Sequence, residues 1–301
     1  MALTLTVLAW SSVPLLLKHF THVGLDAWTV NGCRYLFAVM LWLPFVIRHY
    51  PEIPADRNVW RDAAWPAFFH LAGQVGWGLA PYYNDASVMN FVSRLGFLFT
   101  IVFGFWLLHD ERTLARRPLF WVGVAGSIAG LVAIFSGGGD IGNTSPFGMA
   151  ILIWTSVCWA LYAVNVRRTM QAYSARLGFG IVSVLVAPGL VALMFLFGDW
   201  RAALRLDLFY WSLLALSAWV GIAMGHVLYY QAVKALGPVI AEGALALIPF
   251  VTAIAAHAIL GERMLAMQWI GGTIMVLATL CLLWAKKMEA TPVLPEEPGG
   301  G

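Results

Sequence analysis

The stretch "HDERTLA", residues 109–115, occurs a second time in altered form near the other end of the chain, within "GERMLAMQWIG", residues 261–271. Both copies place Glu-Arg-x-Leu-Ala after an apolar run, and a Trp-aliphatic-Gly triplet opens the next apolar run in each case. The two glutamates, Glu111 and Glu262, stand 151 residues apart. A phrase repeated at such a distance indicates that the two halves of the chain are copies of one unit.

Composition predicts a chain that lies in a membrane. Of its 301 residues, 61% are hydrophobic and 11% are charged, and the mean hydropathy is +0.79. Soluble domains carry about 25% charged residues, so this chain has too little charge to cover a water-facing surface. The net charge of +3 is small, and we expect no nucleic-acid partner. Solid apolar runs, rather than alternating ones, therefore predict an all-α integral membrane protein in contact with the lipid bilayer.

Charged residues and Gly/Pro clusters divide the apolar sequence into ten runs. A bilayer core about 30 Å thick needs about 20 apolar residues per helix, and the runs are near that length. We predict ten transmembrane helices in two repeats, with residues 1–140 as the first five-helix repeat, 141–288 as the second, and 289–301 as a disordered tail. The predicted spans are 2–18, 28–47, 65–84, 88–108, 118–136, 147–166, 176–197, 208–232, 238–260 and 267–285.

The distribution of lysine and arginine predicts the orientation of the chain. With ten spans both termini lie on one side, and that side receives twelve of these residues whereas the other receives four. Arg34 and Arg94 fall inside spans. We therefore predict that both termini are cytoplasmic. Because each repeat has an odd number of spans, the second is predicted to be inverted relative to the first, with a substrate site near the midplane between them.

The segments "AWSSVPLLLK", residues 9–18, and "CWALYAVNVRR", residues 158–168, together with the two Glu-Arg phrases, resemble the EamA-type members of the drug/metabolite transporter superfamily. The resemblance covers residues 1–287 and rests on the ordered set of ten spans. It implies a ten-helix fold with a central cavity, a place in the bacterial inner membrane, and export of amino acids or other small metabolites. Pro249 in the ninth span has Leu98 as its counterpart in the fourth, so the sequence does not predict that the two repeats bend alike.

Ionisable residues inside the predicted spans are the first candidates for a substrate site, because each costs about 2.5–3.5 kcal/mol at the centre of a membrane helix. Glu242 is a carboxylate clearly inside a span, and Arg94 enters from the opposite side. Either could bind a charged substrate group. Arg34 also lies within a span, and for all three the alternative is a structural ion pair or a side chain that reaches the interface. His226 could act at the site and carry protons, or could be a packed, hydrogen-bonded histidine.

Aromatic and polar residues at related places in the two repeats are the second set of candidates. Trp10 and Trp159 stand 149 residues apart, and Tyr162 and Asn165 share one helical face. Such a face offers ring surfaces and hydrogen-bonding groups to an amphipathic metabolite. The alternative is aromatic packing between helices. The candidates of this set are Trp10, Ser11, Tyr82, Asn84, Trp159, Tyr162, Asn165 and Tyr230.

Small residues point to close packing in the fifth and tenth spans. Gly126 and Gly130 are four residues apart, and Gly271-Gly272 stands in the tenth span. Such spacings let helices approach closely. We expect these two spans to serve packing, or contact in a homodimer, rather than to form walls of a substrate site.

The sequence favours a secondary transporter that exports small metabolites, amino acids first among them, by alternating access through a cavity between the repeats. No nucleotide-binding motif is present in the sequence, and we expect no cofactor and no catalytic or metal site. Proton coupling through Glu242 or a histidine and facilitated diffusion are both open. The alternatives are an integral membrane enzyme acting on a lipid-like substrate, for which the sequence offers no catalytic cluster, and a non-transporting membrane subunit.

Overall fold

The computed structural model describes residues 1–84, 86–94, 96–137, 145–260 and 265–290, and the secondary-structure elements in these ranges are helices. The α-helices are α1 (Ala2–Ser11), α2 (Val13–His22), α3 (Ala27–His49), α4 (Val59–Tyr83), α5 (Ala86–Ser93), α6 (Gly96–Leu107), α7 (Pro118–Gly137), α8 (Pro146–Thr169), α9 (Ala175–Phe197), α10 (Trp200–Ala203), α11 (Leu208–Ala218), α12 (Gly225–Leu236), α13 (Pro238–Leu245), α14 (Ile248–Leu260) and α15 (Ala266–Ala290).

Short polar side chains determine where the long helices begin. Asp26 accepts hydrogen bonds from the backbone N–H groups of Trp28 and Thr29, both at 2.9 Å, and so caps α3. Ser145 caps α8 and Ser174 caps α9 in the same way. These residues satisfy N–H groups that have no partner inside the helix, which typically contributes about 1 kcal/mol per cap.

Five helical stretches in the described residues are long and apolar enough to cross a membrane. A 3₁₀ helix, Asp110–Arg116, followed by Pro118–Ile134 would make a sixth, with a bend of 87° between them. The prediction of an all-helical chain with membrane-spanning helices is confirmed at this level, while the ten spans, their inversion and the cytoplasmic termini stay predictions. The five stretches are Ala27–Glu52, Pro146–Thr169, Ala175–Phe197, Leu208–Leu236 and Ala266–Met288.

Several of the apolar segments are interrupted near their middle. The segment of α5 and α6 is interrupted after Ser93, and that of α13 and α14 is interrupted after Leu245. These two positions stand 152 residues apart, so the two halves of the chain are broken at related places although only the second contains a nearby proline, Pro249. Between α11 and α12, residues Trp219–Met224 form a π-helix. Such π-helical turns frequently occur at functional sites.

Glycines bring α7 and α15 into close contact. A Cβ at Gly126 would lie 3.0 Å from the Cβ of Ala278, and a Cβ at Gly130 would lie 2.7 Å from the carbonyl oxygen of Gly271. These distances leave no room for larger side chains on α7. The small residues of the predicted fifth and tenth spans therefore serve packing within the chain.

Polar contacts gather at two opposite ends of the bundle. At one end, which we call the Arg167 end, Arg167 forms an ion pair with Asp110 at 2.8 Å, and Lys234 donates to the carbonyl of Tyr173. Tyr173 donates to Asp62 at 2.6 Å, and burial together with this hydrogen bond raises the pKa of its phenol. At the other end, which we call the Asp26 end, three hydrogen bonds join distant parts of the chain. Tyr82 donates to the carbonyl of Leu25, Asn84 donates to the carbonyl of Gly148, and the backbone N–H of Asp199 donates to the carboxylate of Asp26.

These contacts show that three helices run the length of the bundle. α4 begins near Asp62 at the Arg167 end and finishes at Asn84 at the Asp26 end. α8 runs in the opposite direction, from Gly148 to Arg167, and lies against α4. α9 then returns towards the Asp26 end. Each of these three helices therefore connects the Arg167 end with the Asp26 end.

The first Glu-Arg phrase lies within the 3₁₀ helix Asp110–Arg116. Glu111 is fully buried, and its carboxylate lies so close to Gly237 that a Cβ at that position would overlap it. Gly237 has a φ of +85°, which favours glycine independently. The phrase therefore contacts the start of α13. The second phrase, with Glu262, lies outside the described residues.

Candidate functional site

A cavity of about 70 Å³ lies in the middle of the bundle and is formed by helices from both halves of the chain. None of its described lining residues belongs to α7 or α15, as expected for helices that serve packing. The lining residues are Trp10, Val13, Arg34, Gln74, Trp77, Ser93, Arg94, Gly96, Trp159, Tyr162, Gly221, Ile222, His226, Tyr229, Glu242, Leu245 and Ile248.

The structure brings six of the eleven candidates from the sequence to this cavity, and the other five lie outside its lining. The six include residues of both repeats and of both sets, the charged and the aromatic. They are Trp10, Arg94, Trp159, Tyr162, His226 and Glu242.

Two of the tryptophans that line the cavity, Trp10 and Trp159, are held by contacts with other lining residues. Trp10 donates from Nε1 to the carbonyl of Gly221 at 2.9 Å, so the π-helical segment holds the indole in place. Its ring also lies 4.9 Å from that of His226, centroid to centroid. Trp159 lies 4.9 Å from Trp77 in the same measure. Large aromatic rings therefore form part of the wall, as in sites that bind partly apolar molecules.

Glu242 and Arg94 reach the same cavity from different helices. Glu242 accepts a hydrogen bond from the phenol of Tyr229. Arg94 donates from Nη1 to the carbonyl of Leu245 at 2.8 Å and from Nη2 to the hydroxyl of Ser93 at 3.1 Å. The two charges make no ion pair among the contacts of the described residues. Each is held by neutral groups, and Arg94, which follows the interruption at Ser93, bonds to the residue at which α13 ends.

Arg34 is a second buried cation at the cavity. It is 2% exposed, and it donates from Nε to the hydroxyl of Ser217 at 3.1 Å and from Nη2 to the carbonyl of the same residue at 3.4 Å. Its Nη1 has no hydrogen-bond partner. The sequence places Arg34 inside a span but does not indicate that it faces the cavity, because its anchor stands 183 residues away.

Five lining residues present buried polar atoms that have no hydrogen-bond partner in the described part of the protein. About nine in ten buried polar groups are satisfied in folded proteins, so several unsatisfied groups around one space indicate that the space is used by water or by a polar ligand. Four of the five are able to donate and three to accept, with Tyr162 and His226 serving in either role. The atoms are Arg34 Nη1, Gln74 Oε1, Trp159 Nε1, Tyr162 Oη and His226 Nδ1.

The five remaining candidates make contacts elsewhere. Ser11 donates to Val7 at 2.6 Å and Asn165 donates to Leu161 at 2.8 Å, each to the preceding turn of its own helix. Tyr82 and Asn84 bond backbone carbonyls at the Asp26 end. Tyr230 is fully buried beside Tyr162, at 6.0 Å between ring centroids. A direct role of these five in substrate binding stays a prediction.

Sequence reasoning did not select several residues that line the cavity. Tyr229 is the neighbour of the candidate Tyr230, and one residue turns a side chain by about 100° around a helix. Gln74 and Trp77 are three residues apart and so share a face of α4, a spacing that could have identified them. Ser93 carries no comparable signal.

The size of the cavity limits what it can hold in this conformation. Sites that enclose small organic ligands usually measure about 300–1,000 Å³. At about 70 Å³, this space accommodates a few water molecules. Binding of a metabolite therefore requires the surrounding helices or side chains to move apart.

Comparison with known proteins extends over nearly the whole chain. The sequence profile described as the EamA-like transporter family matches residues 1–136 and 146–284. The chain is similar to the uncharacterized inner membrane transporter YedA of Escherichia coli K12, with 25% identity over 311 residues that cover 97% of this chain and 93% of YedA. The YedA proteins of Escherichia coli O6:H1 and O157:H7 match equally. A crystal structure with 14% identity has the same fold, with a TM-score of 0.71 and coverage of 96% of this chain and 98% of the other.

Proposed function

Because the chain belongs to the EamA-like transporter family, we propose that it is a secondary transporter that exports small metabolites, with amino acids as the first class to test. We further propose that it lies in a bacterial inner membrane, as the name of its relative YedA suggests. Both proposals agree with the low charge and the apolar helices of the chain.

The observation that carries the proposal is the central cavity, where charged groups, aromatic rings and unsatisfied polar atoms from both halves converge. Arg34, Gln74 and Trp159 each offer a buried polar atom to the space. A transporter must bind a molecule without modifying it, and such a set of groups offers hydrogen bonds and ring surfaces for that purpose. The cavity is the place where the two halves meet, as expected for transporters built from repeats.

The arrangement of ten spans in two inverted repeats is part of this proposal. The family profile matches the chain in two ranges, 1–136 and 146–284, that have similar lengths. The paired interruptions after Ser93 and Leu245 support the same division. In a chain with both termini in the cytoplasm, the Arg167 end faces the cytoplasm and the Asp26 end faces the periplasm.

Alternating access would open the cavity to each side of the membrane in turn. The cavity is small, and hydrogen bonds join neighbouring segments at both ends of the bundle. Release of the Arg167 end would admit a substrate from the cytoplasm, and release of the Asp26 end would let it leave. Glu242 or His226 would couple this cycle to protons if the transport is active, whereas facilitated diffusion needs no such group.

Contact between two chains in a homodimer is a further part of the proposal. The glycines that could mediate contact between two chains are occupied within one chain, where α7 packs against α15. A dimer would therefore use the outer faces of these helices, where Trp121 and Trp284 are exposed.

Counterflow in proteoliposomes tests the proposed function. Purified protein is reconstituted into vesicles loaded with millimolar unlabelled amino acids, and uptake of the same labelled compounds is followed. We expect transient accumulation of at least one labelled amino acid, absent from protein-free vesicles. If no member of a panel of twenty amino acids and related metabolites accumulates, the proposed substrate class is wrong.

A further inference from the structure

The guanidinium of Arg34 is a buried cation that the protein does not neutralise. Its hydrogen bonds go to the hydroxyl and carbonyl of one residue, Ser217, and both are neutral groups. In the described part of the chain, no carboxylate forms an ion pair with it. A buried charge of this kind is costly unless an opposite charge or several hydrogen bonds compensate it. The position therefore favours an anion that enters the cavity.

The charges of the cavity as a whole also leave an excess of positive charge. Its described lining contains two arginines, Arg34 and Arg94, and one carboxylate, Glu242. Arg94 already donates to Leu245 and Ser93. Even with Glu242 ionised, the two guanidinium groups leave one positive charge in excess. A substrate group with a single negative charge matches this excess.

The free atom of Arg34 points to a hydrogen bond with that group. Nη1 is buried and has no partner, and Arg34 belongs to the lining of the cavity. A Cβ at Gly221 would lie 3.4 Å from Nη2, an ordinary van der Waals distance, so the π-helical segment lies directly beside the guanidinium. Charge-assisted hydrogen bonds from arginine to carboxylates are short and strong.

The remaining wall suits an apolar substituent. The rings of Trp10, Trp77 and Trp159 face the same space, and the last of these also presents an unpartnered N–H. A molecule with one carboxylate and one apolar or aromatic group would contact both kinds of surface. A group with two negative charges would exceed the positive charge available.

We propose that Arg34 binds the carboxylate of the transported molecule, and that the substrates are amphipathic molecules with a carboxylate and an apolar group. This inference rests on the proposed transport function and specifies the chemistry of its substrates. It is stated for the carboxylate alone, so it includes amino acids and also acids without an amino group.

Matched acids and amides test this inference on the unaltered protein. Phenylalanine is compared with phenylalaninamide, and phenylacetate with phenylacetamide, both by counterflow and by quenching of tryptophan fluorescence in detergent. Each amide keeps the shape of its acid and loses the negative charge. We expect each acid to bind about tenfold or more tightly than its amide, as for a charged hydrogen bond in a buried site. Equal binding of acid and amide would overturn the inference.

Variants of Arg34 then assign the preference to this residue. We expect Arg34→Gln to remove the difference between acid and amide, and Arg34→Lys to keep part of it. Arg48→Gln is the matched control, since Arg48 is an exposed arginine on the same helix. Folding of each variant is checked by size-exclusion chromatography and thermal unfolding. A folded Arg34→Gln protein that still prefers acids tenfold would contradict the assignment.

The two readouts separate the inference from the proposed function. Binding of acids without counterflow would overturn the transport proposal and leave the carboxylate site supported. Counterflow of compounds that lack a carboxylate, with no preference for acids, would support transport and overturn the inference. If no acid binds and no acid shows counterflow, both the transport proposal and the inference are overturned.

Discussion

The indole of Trp159 lies directly against Gly73, where an added Cβ would approach Cδ1 and Nε1 of the ring to 2.7 Å. Trp10, its counterpart in the first half, lies against Gly225 in the second half in a similar way. Each tryptophan thus packs on a glycine of the opposite half. Both rings line the cavity, and these contacts link the two halves of the chain.

Gly73→Ala should therefore destabilise the protein. The added methyl group forces the Trp159 ring to shift, and overpacking of this kind typically costs about 1–3 kcal/mol. Thermal unfolding monitored by light scattering or fluorescence would show a lower midpoint, with slower counterflow. Gly178→Ala is the control, because its nearest neighbour would be 3.4 Å away, an ordinary contact. Equal midpoints for the two variants would argue against the tight contact.

Trp159→Ala should weaken substrate binding about tenfold or more. The variant loses the indole as a contact surface, and burying a large apolar side chain contributes about 1.5–3 kcal/mol. Tyr230, a candidate from the sequence that lies outside the cavity lining, provides the comparison. We expect Tyr230→Phe, which keeps the ring and its packing, to change affinity less than twofold. The substrate affinity of both variants is measured by titration of tryptophan fluorescence or by counterflow at graded substrate concentrations. A larger loss of affinity in Tyr230→Phe than in Trp159→Ala would show that the site extends towards Tyr230.

Glu242→Gln should impair transport more than folding. The amide still accepts the hydrogen bond from Tyr229 but carries no charge and takes up no proton. If Glu242 carries protons, uptake driven by a pH gradient is lost while exchange at equal pH persists. Uptake that keeps its pH dependence in the variant would remove Glu242 from the coupling mechanism. Tyr229→Phe tests the same contact from the other side.

Arg167→Gln should loosen the Arg167 end. It removes the ion pair with Asp110 and weakens the bond to the carbonyl of Lys234. Because the pair is partly exposed, we expect a modest effect, of about 1 kcal/mol or less. Maleimide labelling of the buried Cys158, in a protein whose other cysteines are replaced by alanine, should become several-fold faster. Arg168→Gln is the control, since Arg168 is exposed on the same helix.

Reporter fusions test the topology directly. A cytoplasmic reporter such as green fluorescent protein should be active at both termini, and a periplasmic phosphatase should be inactive there. Both results follow from an even number of spans and from the excess of arginine and lysine on one side. Termini on opposite sides of the membrane would overturn the prediction of ten spans.

The positions of the long helices could be predicted because apolar runs have the length that a bilayer demands. The predicted span 147–166 corresponds to α8, Pro146–Thr169, and the predicted span 176–197 to α9, Ala175–Phe197. The interruption after Ser93 could not be predicted, since no proline marks it in the sequence.

The cavity was only partly predictable for a related reason. Charge and repeated position identified Glu242, Arg94 and Trp159 without knowledge of the fold. The role of Arg34 depends on a contact with Ser217 from a distant helix, and the choice between Tyr229 and Tyr230 depends on the phase of one helix. Sequence patterns state which residues are unusual in a membrane, whereas packing decides which way each one faces.

The burial of Glu111 against Gly237 has a mechanical consequence. Gly237 precedes α13, a helix of eight residues that carries Glu242 in its second turn. A short helix moves as a rigid rod, so a displacement of the connector that holds Glu111 is passed along α13 to the carboxylate in the cavity. The connector Asp110–Arg116 would then transmit a movement at the Arg167 end of the bundle to the carboxylate of Glu242 in the cavity.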